Sequence, residues 1–185
     1  EAIIEASHYV EFYDEELGQE TYKKTGICTL PAINFEGKVD ADAVSIIEQA
    51  TQSLVDANKF VVSLGAEHTV TLGFFKPHYQ KYPGAGLLQI DAHSDLRLAY
   101  HNNPYSHASV MARIHDLGAN LYQIGIRAQC KEEAELIQSS ERINTWYAHQ
   151  IAANAQWQDE VLAALPSQVY LTIDADGFDP SVMPA

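Results

Sequence analysis

Apolar residues along the chain gather into short runs separated by segments of mixed polarity. Five runs read as strands: 60–64, Gly86–Ile90, 120–124, 142–147 and Val169–Ile173. Runs that are mostly apolar, rather than strictly alternating, mark strands buried on both faces. The stretches between them carry helical spacing. Val44, Ile47, Leu54 and Val55 form a stripe on a helix that starts at a capping Asp40 or Asp42 and runs to about Asn58. Further helices are predicted from about Thr69, interrupted at Pro77; from His107 to Leu117, capped by Ser106; over 131–137; and over 149–165, ending before Pro166. Ahead of these, residues 1–9 have helical character, 9–13 read as extended, and 14–38 read as loop with a short strand near 26–30. This alternation predicts an α/β fold, with helices on the faces of a mainly parallel sheet and residues 1–185 as one domain.

Three of the runs end in ligand-type side chains. Gly86–Ile90 leads into Asp91-Ala92-His93-Ser94-Asp95, and Val169–Ile173 leads into Asp174-Ala175-Asp176, with Asp179 three residues on. The 60–64 run leads into Gly65-Ala66-Glu67-His68. In extended backbone, positions i, i+2 and i+4 share a side, so Asp91, His93 and Asp95 converge at a strand's C-terminal end. In a parallel sheet all such ends lie along one edge, where ligands bind. Clusters far apart in sequence are therefore expected to meet. Any one of them alone reads as solvated loop. Together His68, Asp91, His93, Asp95, Asp174 and Asp176 offer two imidazoles and four carboxylates. That set exceeds one tetrahedral ion and suits two octahedral-leaning ions sharing a carboxylate, with manganese favoured over zinc or copper. Paired ions activate water at neutral pH, so the reaction class is metal-assisted hydrolysis.

Composition narrows the partners. A chain of 185 residues, 46% hydrophobic, can bury a sizeable core. Its formal charge of −14 argues against nucleic acid and anionic membrane as partners and is compatible with a small cationic substrate. Two cysteines, Cys28 and Cys130, imply no disulfide framework and suit a reducing, cytoplasmic setting. No apolar run approaches a membrane span. The first residues read as mid-helix and the last follow directly on a ligand cluster, so a core fragment, incomplete at both ends, is expected.

Four blocks carry a resemblance: Gly65-Ala66-Glu67-His68-Thr69, Asp91-Ala92-His93-Ser94-Asp95-Leu96-Arg97, Ser106-His107-Ala108-Ser109-Val110-Met111, and Thr172-Ile173-Asp174-Ala175-Asp176-Gly177-Phe178-Asp179-Pro180. In their order and spacing the chain resembles the ureohydrolase (arginase/agmatinase) family, and is most like agmatinase. The resemblance implies a three-layer α/β/α fold, two Mn2+ per subunit and a homo-oligomer, trimer or hexamer. It places His68 and Asp95 on one ion, His93 and Asp176 on the other, and Asp91 and Asp174 between them. It gives Asp95 the nucleophile's proton and makes His107 a proton shuttle. The plainer reading of His107 is a residue in a helix's first turn.

Arginases read the substrate's α-carboxylate through a Ser-Gly-Asn-x-His-type stretch that is absent here. The 96–107 loop and the 179–185 stretch resemble those of agmatinases instead. The implied activity is hydrolysis of agmatine to putrescine and urea, with guanidinobutyrate, arginine or another linear guanidino compound as rivals. A metal-binding, non-catalytic family member is a further alternative. An unrelated two-metal phosphatase ranks last, because only Arg97 lies near the motifs to clamp a phosphate. Two departures stand out: Ala66 where relatives often have Gly, strained if φ there is positive, and Asn102 in a similar place, which tolerates the left-handed region. Asp179 is read as a turn residue and Glu67 as a partner orienting His68. The family's guanidinium-binding acidic residue would lie beyond Ala185.

Overall fold

The computed structural model describes residues 2–183, so the last two residues of the 179–185 stretch lie outside it. The chain divides into two compact units, one up to Ala32 and one from Ile33 onward. The first holds α1 (Ala2–Ala6), a 3-10 turn at Ser7–Tyr9 and α2 (Thr21–Thr25). Asp14 and Gln19 exchange backbone hydrogen bonds of 2.8 and 3.1 Å, and the Phe12 and Tyr22 rings sit 5.1 Å apart. The helical start is as expected. The strand expected at 26–30 does not form; an extended segment becomes a strand only through a hydrogen-bonded neighbour, and this one has none among the described residues.

The second unit runs α3 (Asp40–Asp56), α4 (Val70–Lys81), β1 (Gly86–Ile90), α5 (Val110–Asp116), β2 (Leu121–Ile126), α6 (Lys131–Ser139), β3 (Ile143–Tyr147), α7 (Ala148–Ala153), α8 (Trp157–Ala164) and β4 (Val169–Ile173). The four strands are parallel, in the order β3-β2-β1-β4, with helices flanking them. Leu87 is level with Leu121 and Tyr170, and Leu121 with Ile143. This apolar row packs with Val44, Leu72, Phe75, Met111 and Ile114 into the core. Two residues further along, on the same face, the next row is polar: Gln89 is level with Gln123 and Thr172, and Gln123 with Thr145. Asp91 comes two residues after that. Apolar burial thus ends one step before the edge where the ligand clusters lie. The opposite face is less covered, and Leu171 and Ile173 of β4 are each 51% exposed.

Several expectations change. Residues 60–64 pair with no strand among the described residues, and Phe60, Val62 and Leu64 are exposed. Their alternation suits a strand, but no neighbour supplies the ladder. The helix expected at 149–165 is two helices. Asn154 breaks it, its Oδ1 accepting from the Gln156 N–H at 2.9 Å while its amide donates to Glu160, a local bond that competes with helix. Pro77 does not interrupt α4; it lies buried within it, and a ring nitrogen of His78 bonds the Phe74 carbonyl at 2.8 Å. Asp40 does not cap α3 through its side chain. It sits at φ +53° and accepts from the Asn103 amide at 2.6 Å. Ser106 precedes a 3-10 turn (His107–Ser109) that leads into α5, and its hydroxyl bonds that of Ser109 rather than a backbone N–H.

Candidate metal centre

Asp91, His93 and Asp95 follow the end of β1, Asp174 and Asp176 follow the end of β4, and His68 comes from the segment just before α4. Asp91 follows β1 directly and is 1% exposed. Its Oδ2 lies 3.0 Å from Nδ1 of His68, which in turn lies 2.8 Å from Oδ2 of Asp95. Its Oδ1 faces the other way, 3.7 Å from Nδ1 of His93, which lies 3.1 Å from Oδ2 of Asp176. Two groups result, His68–Asp91–Asp95 and Asp91–His93–Asp176, each with ligand atoms within 4.8 Å of one another. They share Asp91. Asp174 is adjacent but in neither group: its Oδ2 is 3.7 Å from Nδ1 of His68, and its Oδ1 accepts from the Asp176 N–H. His107 stands apart, exposed, with Nδ1 3.5 Å from Oε1 of Glu67 and its ring 5.5 Å from that of Tyr100. Glu67 therefore faces His107 and Thr69 rather than orienting His68.

The donor set fits divalent cations. Four carboxylates crowd one strand edge, and among the described residues no lysine or arginine side chain pairs with any of them. Burying such an array without compensating charge is costly. The protein compensates with a proton. Burial alone would lower the pKa of His68, but hydrogen bonds to Asp91 and Asp95 outweigh it and hold the imidazole protonated well above its usual range. Burial pushes Asp95 upward, against the pull of His68. Oxygen-rich sites with two imidazoles and no thiolate suit manganese.

Several features hold the cluster in shape. The Gln89 amide donates to Oδ2 of Asp91 at 2.7 Å, and the His93 N–H donates to Oδ1 at the same distance. His68 Nε2 meets the Thr172 hydroxyl at 3.1 Å, which bonds Thr71 in turn. Buried Glu133, from α6, accepts from the Ser94 hydroxyl and the Leu96 N–H, both at 2.9 Å, pinning the loop after β1. The Arg127 guanidinium bonds the carbonyls of Asp176, Gly177 and Phe178, pinning the loop after β4. Asp95 sits at φ +54°, a costly conformation for a non-glycine residue. Its carbonyl accepts from the N–H groups of Met111 and Ala112. Ala66 is not at positive φ, so no strain arises there, whereas Asn102 is, at +61°. Asp179 makes a turn, accepting from the Ser181 N–H at 2.9 Å.

The Arginase family's sequence profile matches residues 1–185. The chain belongs to the arginase family. It is 38% identical over 190 residues to an N(1)-aminopropylagmatine ureohydrolase of Synechocystis sp., covering 100% of this chain and 62% of that protein. It is 34% identical over 193 residues to an agmatinase of Bacillus cereus, covering 100% of this chain and 61% of that one. The crystal structure of an agmatine ureohydrolase of Thermoplasma volcanium superposes with a TM-score of 0.75 at 25% identity, over 95% of this chain and 59% of that one. The chain thus spans about three-fifths of the length of these relatives.

For an arginase-family chain with this cluster, metal and proton compete for the same imidazole. A ligating His68 must be neutral, while the metal-free protein holds it protonated above the usual imidazole range. Metal uptake should therefore release a proton, and affinity should rise as pH climbs from neutral into the alkaline range. Calorimetric titration with Mn2+ in two buffers of different ionisation enthalpy reads the proton count; an affinity independent of pH across that range would contradict it. Sequence reasoning passed over Gln89, Gln123, Glu133 and Arg127. The available signal was a polar residue inside an otherwise apolar strand, as at Gln89 and Gln123. Among the described residues no helix is long and apolar enough to cross a membrane.

Proposed function

We propose that the full-length protein is a manganese-dependent ureohydrolase that cleaves agmatine to putrescine and urea. The observation that carries this reading is the pair of ligand groups sharing Asp91 in an arginase-family chain. In the proposal each subunit takes two Mn2+, with His68 and Asp95 on one ion, His93 and Asp176 on the other, and Asp91 and Asp174 shared. Bound ions would supply Lewis acidity and lower the pKa of an attacking water. Asp95, at the inner end of the cluster, accepts that water's proton. Water adds to the guanidino carbon, the bond from that carbon to the alkyl-bearing nitrogen breaks, and urea leaves. The departing amine takes up a proton, which exposed His107 delivers. The Glu67 carboxylate, 3.5 Å from Nδ1 of His107, steers the ring. The acidic chain attracts a dication.

A longer substrate is the second reading. The Synechocystis relative is named for N(1)-aminopropylagmatine, and a cavity of about 430 Å³ is lined by Lys38, Asp40, Glu67, Asn103 and Tyr105, with Glu67 also facing His107. Self-association as a trimer or hexamer, and a single catalytic domain, belong to the same proposal. The test is urea release by the full-length, Mn-loaded protein from agmatine, aminopropylagmatine, guanidinobutyrate and arginine. Turnover of agmatine well above the rest supports the first reading, and no urea from any of the four overturns both. His107→Ala should keep its metal content while urea release falls by about 10²–10⁴-fold, measured by metal analysis and urea assay side by side.

A further inference from the structure

The polar row behind the candidate metal centre has a direction. The Thr145 hydroxyl donates to Oε1 of Gln123 at 3.0 Å. The Gln123 amide nitrogen donates to Oε1 of Gln89 at 2.7 Å and to the Ser94 carbonyl at 2.8 Å. The Gln89 amide nitrogen donates to Oδ2 of Asp91 at 2.7 Å and to the His93 carbonyl at 3.1 Å. Each side-chain NH2 has two hydrogens, and both are used in each glutamine. Gln89 and Gln123 are 0% exposed, so water cannot stand in for a missing partner. Turning the Gln123 amide over would set its oxygen against the Gln89 oxygen and the Ser94 carbonyl. Turning Gln89 over would set its oxygen against a carboxylate and a carbonyl. The chain of bonds therefore has one low-energy sense, from β3 through β2 to β1, and it delivers a donor to one oxygen of Asp91.

We propose that Gln123 is a positioning residue for the metal centre: it touches no ligand, but through Gln89 it fixes the rotation of the Asp91 carboxylate that lets its two oxygens serve two ions. The inference rests on reading the cluster as a metal site. The geometry supports it from both ends. Oδ2, the oxygen that Gln89 holds, faces His68 and Asp95, and Oδ1, which the His93 N–H holds, faces His93 and Asp176. The Ser94 carbonyl anchors Gln123 to the same loop. Parallel pairing keeps Gln89, Gln123 and Thr145 level, so the relay needs no backbone distortion.

The test is Mn2+ titration of the full-length protein and of Gln123→Met, which keeps the length and removes every side-chain hydrogen bond. The unfolding midpoint of each metal-free protein is recorded in parallel. Manganese affinity should fall about 10–100-fold in the variant, the loss seen when partners of metal ligands are removed. A packing defect alone would lower the midpoint and leave affinity unchanged, and that result would overturn the relay. Should Gln123→Met fail to fold, Thr145→Val takes its place at the far end. Weaker Mn2+ binding restored by Thr145→Ser supports the relay, and wild-type binding in Thr145→Val overturns it. A wild-type protein that takes up no Mn2+ overturns the metal reading itself, an outcome distinct from either.

Discussion

Asp91→Asn should strip the full-length protein of bound metal and reduce urea release by more than about a thousandfold. Asp91 belongs to both ligand groups, whereas Asp174, the other residue shared in the proposal, lies in neither. The carboxylate is used completely: one oxygen accepts from Gln89 and faces His68, and the other accepts from the His93 N–H and faces His93. An amide in its place has one acceptor. Whichever way it turns, its NH2 meets a donor, either the Gln89 amide or the His93 backbone. The effect should exceed that of losing an outer partner such as Gln123, because the ligand itself has gone. Metal analysis after dialysis, together with urea assay, reads both parts. A variant with two ions bound and full activity would sink the shared role of Asp91.

Gly177→Ala carries the other large expected effect. Gly177 lies between Asp176 and the turn that follows, and its backbone is pressed against the end of β1. An added Cβ would come within 2.7 Å of the Asp91 nitrogen, 2.9 Å of the Asp91 Cα and 2.9 Å of the Ile90 carbonyl carbon. All three are main-chain atoms of a paired strand and its first loop residue, so the 174–178 loop must move. Asp174 and Asp176 ride on that loop, and Arg127 holds it by three carbonyls. Overpacking of this kind costs about 1–3 kcal/mol, so the denaturation midpoint should drop. The His93–Asp176 group should open as Asp176 retreats, leaving His68, Asp91 and Asp95 together. Mn2+ titration should then show one ion per subunit in place of two. Undiminished stoichiometry with an unshifted midpoint would mean that the loop is not held where Gly177 places it.

The sequence made the ligand-bearing edge legible because two of its strands, β1 and β4, are short apolar runs that end abruptly in acid and imidazole. Their bounds were read correctly, and period-two spacing brought Asp91, His93 and Asp95 to one end. The 60–64 run looked equivalent. It leads to His68 as expected, yet it is not a strand here, because pairing depends on a neighbour that local sequence does not reveal. Asn154 defeated the long-helix reading through a side-chain bond over two residues, a competition that hydrophobic spacing does not register. Gln89 was absorbed into an apolar run. Its meaning emerges only once parallel register sets it level with Gln123 and Thr172. Glu133 read as an ordinary first-turn residue of α6, and it does close a capping box with Cys130. That its other oxygen pins the loop after β1 is a tertiary fact. Glu67 was assigned to the histidine next to it in sequence, but its carboxylate turns toward His107 instead.

The bond between His68 and Thr172 spans 104 residues. At translation rates of about 5–20 residues per second, the first half of the cluster leaves the ribosome roughly 5–20 s before the second. Through that interval Asp91 and His68 have no β4 beside them, and the polar row lacks Thr172. At that stage all three residues of the His68–Asp91–Asp95 group have been synthesised, and the other group lacks Asp176. In the proposed two-ion centre, His68, Asp91 and Asp95 are thus all synthesised before Asp174 and Asp176, and the second ligand group waits for β4 and the loop after it.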